Sequence, residues 1–173
     1  MAIRGIREYD GKKLMASIIN RYGEGVEVHG NYVLIGPETN LDTLADEEPW
    51  LTTTKLVAKP DMLFGKRGKN NLLKLNATWE EARAWIKEKM AADTTIGAVT
   101  GKLTEFLVEP FVPHDDEYYI AMRSFRDEDV LYFSLAGGVE VEENWDKVKE
   151  IHIPVMKDGQ LMDPASVDVT AEL

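Results

Sequence analysis

Leu14, Ile18, Ile19 and Tyr22 recur at the spacing of one helix face, with Asp10 before them as an N-cap and Gly23 after them as a stop. The pattern predicts an amphipathic helix over residues 11–22. The period then changes. Val26 to Ile35 is β-rich around His29-Gly30-Asn31, a hairpin signal, and a polar stretch follows with a short helix from Asn40 until Pro49 interrupts it. Residues 55–59 and 72–75 read as two short strands joined by a polar, basic loop, a β-loop-β unit.

Thr78-Trp79-Glu80-Glu81 is a capping box, in which the threonine hydroxyl satisfies a backbone N–H three residues on and Glu81 reaches back. It opens a second helix with Trp79, Ala82, Ile86 and Met90 on its apolar face, Trp85 beside them, and Glu80, Arg83, Lys87 and Glu88 towards water. Three β-like runs follow, 103–108, 118–124 and 130–135, and then a fourth, 148–155. The last stretch, 157–173, is acidic with no apolar period and reads as part of a larger domain. Strands outnumber helices in this second half.

With 44% hydrophobic and 29% charged residues in 173, the chain can bury a core as one domain or two small lobes. No stretch approaches ~20 consecutive apolar residues, and the first residues lack the apolar core of a secretion signal, so the expected setting is cytoplasmic, with no membrane contact. Cysteine is absent, which removes disulfides, thiolate metal sites and cysteine nucleophiles. A net charge of −11 argues against nucleic-acid binding, which rests on neutralising backbone phosphates.

One window departs from that charge. Between Lys55 and Lys74 stand Lys55, Lys59, Lys66, Arg67, Lys69 and Lys74 against Asp61 alone, a local charge of +5 that leaves −16 for the rest. A cationic island in an anionic chain suits a compact polyanion such as a nucleoside triphosphate, which the remaining surface repels. The segment Gly65-Lys66-Arg67-Gly68-Lys69 matches neither familiar phosphate loop. Gly65 and Gly68 nevertheless permit positive φ and close backbone approach, while Lys66, Arg67 and Lys69 supply charge. The alternative is a solvated basic turn. Lys59 is the sharper candidate, because a strand holds a lysine more firmly than a loop does.

After the run 103–108 comes Glu109-Pro110-Phe111-Val112-Pro113-His114, where proline ends regular pairing and frees backbone groups able to meet a purine edge. Glu117 is placed either to bond ribose hydroxyls or to stand as an ordinary exposed acid. Gly137-Gly138-Val139-Glu140 reads as a turn rather than a metal site, and His29, His114 and His152 are too scattered for a metal triad. No nucleophile or other catalytic residue is assigned.

The strings Gly5-Ile6-Arg7-Glu8-Tyr9-Asp10-Gly11-Lys12-Lys13-Leu14, Val57-Ala58-Lys59-Pro60-Asp61, Gly65 to Lys69, Phe106 to His114 and Gly137 to Glu140 together resemble the N-terminal part of the ATP-citrate lyase family. The wider kinship is with succinyl-CoA synthetase β subunits. The resemblance covers nearly the whole chain and is weakest over 23–48 and after 155. It implies a partial ATP-grasp fold, the N-terminal lobe plus the start of a second, with ATP held between two α+β lobes. It implies that Lys59, Arg67 and Gly68 face the phosphates, that Pro110 and Val112 offer main chain to adenine, and that Glu117 meets the ribose.

By the same resemblance the full enzyme uses ATP, citrate and CoA, with Mg2+ held by ligands outside this chain. Its CoA-ligase and citrate-synthase-like parts are the expected partners. The family's magnesium-binding segments are not found in the sequence, so weak ATP binding and no turnover are expected of residues 1–173 alone. Two rivals stay open: part of a citryl-CoA or succinyl-CoA synthetase β subunit, and a non-catalytic module whose basic island docks an acidic partner.

Overall fold

Every second residue from Leu56 to Pro60 is buried and those between are half-buried, as in a strand covered more deeply on one face than on the other. The structure, a computed structural model, describes residues 5–28, 30–64, 67–138, 141–157, 159–163 and 166–168. The chain divides into two units, 1–112 and 113–173.

The first unit runs α1 (Glu8–Tyr22), β1 (Val33–Ile35), the one-turn helices α2 (Leu44–Glu47) and α3 (Trp50–Thr53), β2 (Leu56–Pro60), a 3₁₀ turn (Gly68–Asn70), β3 (Lys74–Ala77), α4 (Trp79–Ala91), β4 (Asp93–Ile96), β5 (Val99–Lys102) and β6 (Phe106–Pro110). One antiparallel sheet has the order β1-β6-β2-β3. Facing residues of an antiparallel pair share a face. The register therefore puts Leu56, Ala58 and Pro60 with Phe106, Val108 and Pro110 on one side, and Val57 and Lys59 with Leu107 and Glu109 on the other.

The first face is the core: Val33, Ile35, Leu56, Ala58, Phe106 and Val108 pack with Trp79, Ala82 and Ile86 of α4. The second face carries Lys59 and Glu109, and α1 meets it through Glu8 and Lys12. One side of the sheet is thus apolar, and the other sets Lys59 and Glu109 among Val57 and the fully buried Leu107.

The capping box of α4 forms as expected: Glu81 N–H donates to the Thr78 hydroxyl at 3.3 Å and Thr78 N–H to the Glu81 carboxylate at 2.8 Å. Elsewhere the structure corrects the sequence reading. α1 starts at Glu8, ahead of Asp10, and its cap comes from Asp61 at the end of β2. Of the stripe Leu14, Ile18, Ile19 and Tyr22, Ile19 is half-buried and the other three face outward, at 53, 43 and 69% exposure, while buried Ala16 lies on the line of Glu8 and Lys12.

The expected hairpin over 26–35 is absent among the described residues. Tyr32 N–H donates to Gly30 O in a turn, and β1 pairs with β6 instead, while His29 lies outside the described residues. Pro110 does not end pairing either, since it stands opposite Leu56 and Phe111 N–H donates to Lys55 O at 2.7 Å. Proline lacks only its own donor, and the neighbouring residue closes the ladder. The β4–β5 hairpin, turned at Gly97 with φ +61°, was not anticipated.

The second unit holds a three-stranded antiparallel sheet, β7 (Tyr119–Ser124), β8 (Glu128–Ser134) and β9 (Lys149–Pro154), close to the runs 118–124, 130–135 and 148–155 read from the sequence. A 3₁₀ segment (Val141–Lys147) carries Trp145, whose ring contacts those of Tyr119 and Tyr132 at 6.0 and 5.7 Å. At the start of the stretch read as patternless, β10 (Met156–Lys157) pairs antiparallel with β11 (Gln160–Leu161). No helix among the described residues is long and apolar enough to cross a membrane.

Candidate functional site

Lys59 leaves β2 on the second face of the sheet, and its diagonal neighbour on β6 is Glu109. The Lys59 ammonium forms ion pairs with Glu109 at 2.8 Å and with Glu8 of α1 at 2.6 Å, and the lysine side chain is 15% exposed. Arg67, seven residues beyond Pro60 in the basic loop, donates from one guanidinium nitrogen to Pro60 O at 2.8 Å and forms an ion pair through another with the second Glu8 oxygen at 2.7 Å. One carboxylate therefore receives both cations that the sequence singled out. The two side chains share one face of the first unit rather than opposite surfaces.

Lys12, one turn after Glu8 on α1, reaches Glu8 at 3.2 Å and also pairs with Glu109. Lys12, Glu8, Lys59 and Glu109 so close a ring of two ammoniums and two carboxylates, with Arg67 as the additional positive charge. The Lys12 ammonium also lies 5.8 Å from the centre of the Tyr32 ring. Burial pushes the Glu8 carboxyl up, but the hydrogen bond and charge of Lys59 with the charges of Lys12 and Arg67 outweigh it and hold the group at about 2. Burial likewise pushes Lys12 down, and its bonds to Glu109 and Glu8 leave it raised instead. Both groups are charged at neutral pH.

Asp61 fixes where Glu8 stands. Its carboxylate, 1% exposed, accepts from Glu8 N–H at 2.8 Å and Tyr9 N–H at 3.1 Å, two of the unsatisfied donors at the start of α1. An acid at a helix N-terminus also meets the positive end of the helix dipole. Arg67 borders an open hollow of ≈ 350 Å³ shared with Ile6, Glu8, Asp61 and Phe64.

Gly68 follows Arg67 into the 3₁₀ turn, and among the described residues of the loop the left-handed one is Asn71, φ 54°, not Gly68. Gly65 and Lys66 lie outside the described residues. Pro110 belongs to the β6 ladder and Val112 is 66% exposed. The structure brings Lys59 and Arg67 together, and ties Pro110 to them only as the chain neighbour of Glu109.

Glu117 belongs to the second unit. Its carboxylate pairs with His114 Nε2 at 2.8 Å beside a hollow of ≈ 380 Å³ that Asp115, Leu135 and Gly137 also border. Gly137 N–H donates to Glu117 O at 2.7 Å. A Cβ at Gly137 would stand 2.5 Å from the Tyr118 carbonyl carbon, and one at Gly138, where φ is +86°, would overlap the Glu117 carboxylate. The glycine pair therefore lets the chain lie directly on Glu117. Val139 and Glu140 lie outside the described residues, and among the described residues no three His, Asp or Glu are grouped to hold a metal ion.

Glu8, Lys12, Glu109 and Asp61 were not assigned roles from the sequence. The Glu8/Lys12 spacing of four on a predicted helix, beside a strand lysine, was the available signal. Chemically, the arrangement is a pair of fixed cations gripping anionic oxygens, with their own counter-charges in place.

Comparison with known proteins bears on that chemistry. The ATP-citrate synthase ATP-grasp domain family matches residues 2–172. The chain is 46% identical over 154 residues to an ATP-citrate synthase alpha chain of Arabidopsis thaliana, covering 89% of this chain and 36% of that one. It is 35% identical over 143 residues to human ATP-citrate synthase, of which it spans 13%. Its fold is similar, at a TM-score of 0.85 and 45% identity, to the ATP citrate lyase of Methanothrix soehngenii solved with citrate and coenzyme A, over 99% of this chain and 39% of that one. The chain thus spans well under half the length of these relatives.

Proposed function

The chain belongs to the family of the ATP-citrate synthase ATP-grasp domain, and on that premise we propose that residues 1–173 are the ATP-gripping part of an enzyme that converts ATP, citrate and CoA to acetyl-CoA, oxaloacetate, ADP and phosphate. The observation that carries the reading is the convergence of Lys59 and Arg67 on the two oxygens of Glu8, at 2.6 and 2.7 Å. That donor set fits a phosphate group, which presents similarly spaced anionic oxygens to a lysine and a forked guanidinium.

In this reading Lys59 and Arg67 hold the phosphate chain, Gly68 keeps the backbone beside it uncrowded, Pro110 and Val112 offer main chain to the adenine, and Glu117 bonds the ribose. ATP supplies the phosphoryl group that activates the acid, and what these residues do is position and neutralise. Magnesium is expected to accompany the nucleotide, but the described residues offer it no ligand set, so no step is assigned to it. The remaining parts of the enzyme, of CoA-ligase and citrate-synthase type, are the proposed partners, and the cysteine-free chain suits the cytoplasm.

Loss of one charged phosphate contact removes about 1.5–3 kcal/mol. Lys59→Ala and Arg67→Ala are each expected to weaken ATP binding, read by titration calorimetry, roughly tenfold or more. Parent-like affinity in both variants would remove the assignment.

A further inference from the structure

We infer that Glu8 and Glu109 are positioning residues for the nucleotide, which act through Lys59, and that Lys12 is the counter-cation that lets them stand beside a polyanion. The inference rests on the ATP reading above and adds residues to it that this reading does not contain. Three observations carry it.

First, Lys59 is bracketed. Its ammonium meets Glu8 at 2.6 Å from α1 and Glu109 at 2.8 Å from β6, two elements fixed independently of the basic loop. A lysine has four flexible carbons and loses about 1.5–2 kcal/mol of rotamer freedom when fixed. Two rigid acceptors impose that loss on folding rather than on binding. An ammonium has three N–H donors, so two carboxylate partners leave it able to meet a further anionic oxygen without leaving its place.

Second, Glu8 spans the grip. One of its oxygens takes Lys59 and the other Arg67, so the carboxylate sets the distance between the two cations. Asp61 anchors the Glu8 backbone, and this fixes the spanning residue in turn.

Third, the charges balance. Two carboxylates beside a phosphate site would repel the nucleotide, unless matched. Lys12 pairs with both, sharing one Glu8 oxygen with Lys59 and taking the Glu109 oxygen that Lys59 leaves, and closes the four-membered ring at zero net charge, while Asp61 beside Glu8 offsets Arg67. A bare surface salt bridge needs no such closure.

The test is a double-mutant cycle on ATP binding by residues 1–173, with Glu8→Gln, Glu109→Gln, Lys59→Ala and the two Gln/Ala combinations. Glutamine keeps the size and one acceptor oxygen of glutamate. Each Gln variant is expected to lower ATP affinity roughly tenfold in the parent and to change it less than twofold when Lys59 is already alanine. A purely structural role would instead lower affinity equally in both backgrounds, and that result overturns the inference. So does unchanged or tighter binding in Glu8→Gln, the latter marking Glu8 as a competitor for the cations. Circular dichroism and thermal midpoints of each variant identify any that fail to fold, and Glu8→Asp, which retains the charge on a shorter stem, then takes the place of Glu8→Gln and is expected to restore part of the coupling; no coupling there overturns the inference as well. Should Lys59→Ala itself leave ATP affinity unchanged, it is the ATP assignment of Lys59 that falls, an outcome distinct from loss of coupling.

Discussion

Phe106→Ala is expected to destabilise the first unit by about 3–5 kcal/mol, the range for truncating a buried aromatic. Phe106 is fully buried on β6, the strand paired on both sides, and its ring meets Trp85 of α4 edge-on at 5.7 Å. The lost ring leaves a void between sheet and helix that neither paired strand can close by shifting. Folded domains have only about 5–15 kcal/mol in hand, so a large share of the stability goes. Denaturant titration followed by tryptophan fluorescence measures it. A loss under about 1.5 kcal/mol would mean that the core is centred elsewhere.

Asp61→Ala follows, at about 2–4 kcal/mol, because two N–H groups of α1 lose a buried charged acceptor together. The effect reaches the site as well. Glu8 N–H is one of those donors, so loosening the helix start loosens the carboxylate that spans Lys59 and Arg67. Thermal unfolding is expected to drop by about 10 °C or more, with weaker ATP binding even where the variant is folded. Asp61→Asn, which keeps one carbonyl acceptor, should fall between the two. Parent-like stability in Asp61→Ala would show that α1 holds its place without this cap.

What the sequence disclosed was what short-range chemistry decides. The capping box Thr78–Glu81 spans four residues, and both of its hydrogen bonds form. The strands carrying Lys59 and the run 106–108 were legible from alternation and β-branched content, and so was the loop between Lys59 and Lys74. The resemblance to ATP-citrate lyase then placed candidates on these elements.

What stayed hidden depends on partners far along the chain. Asp10 sat at the expected cap position, yet Asp61 outcompetes it because β2 delivers a buried carboxylate to the N–H groups of residues 8 and 9. The apolar stripe Leu14, Ile18, Ile19 and Tyr22 predicted an inward face, but Glu8 and Lys12 find their counter-charges on the sheet and turn the helix the other way. Periodicity reports which residues share a face; it does not report which face a sheet bearing Lys59 and Glu109 attracts. Pro110 misled for a similar reason, since the pairing that mattered was made by Phe111 N–H. The role of Gly137 and Gly138 against Glu117 likewise required the register of the second unit.

The central claim is that Lys59 and Arg67 grip phosphate oxygens. Its most direct test is calorimetric titration of AMP, ADP and ATP into residues 1–173 and into the Lys59→Ala/Arg67→Ala double variant. The account gives an affinity that climbs with each phosphate in the parent, by about tenfold or more from AMP to ATP, and a nearly flat series in the double variant. An equally steep climb without the two cations would contradict it.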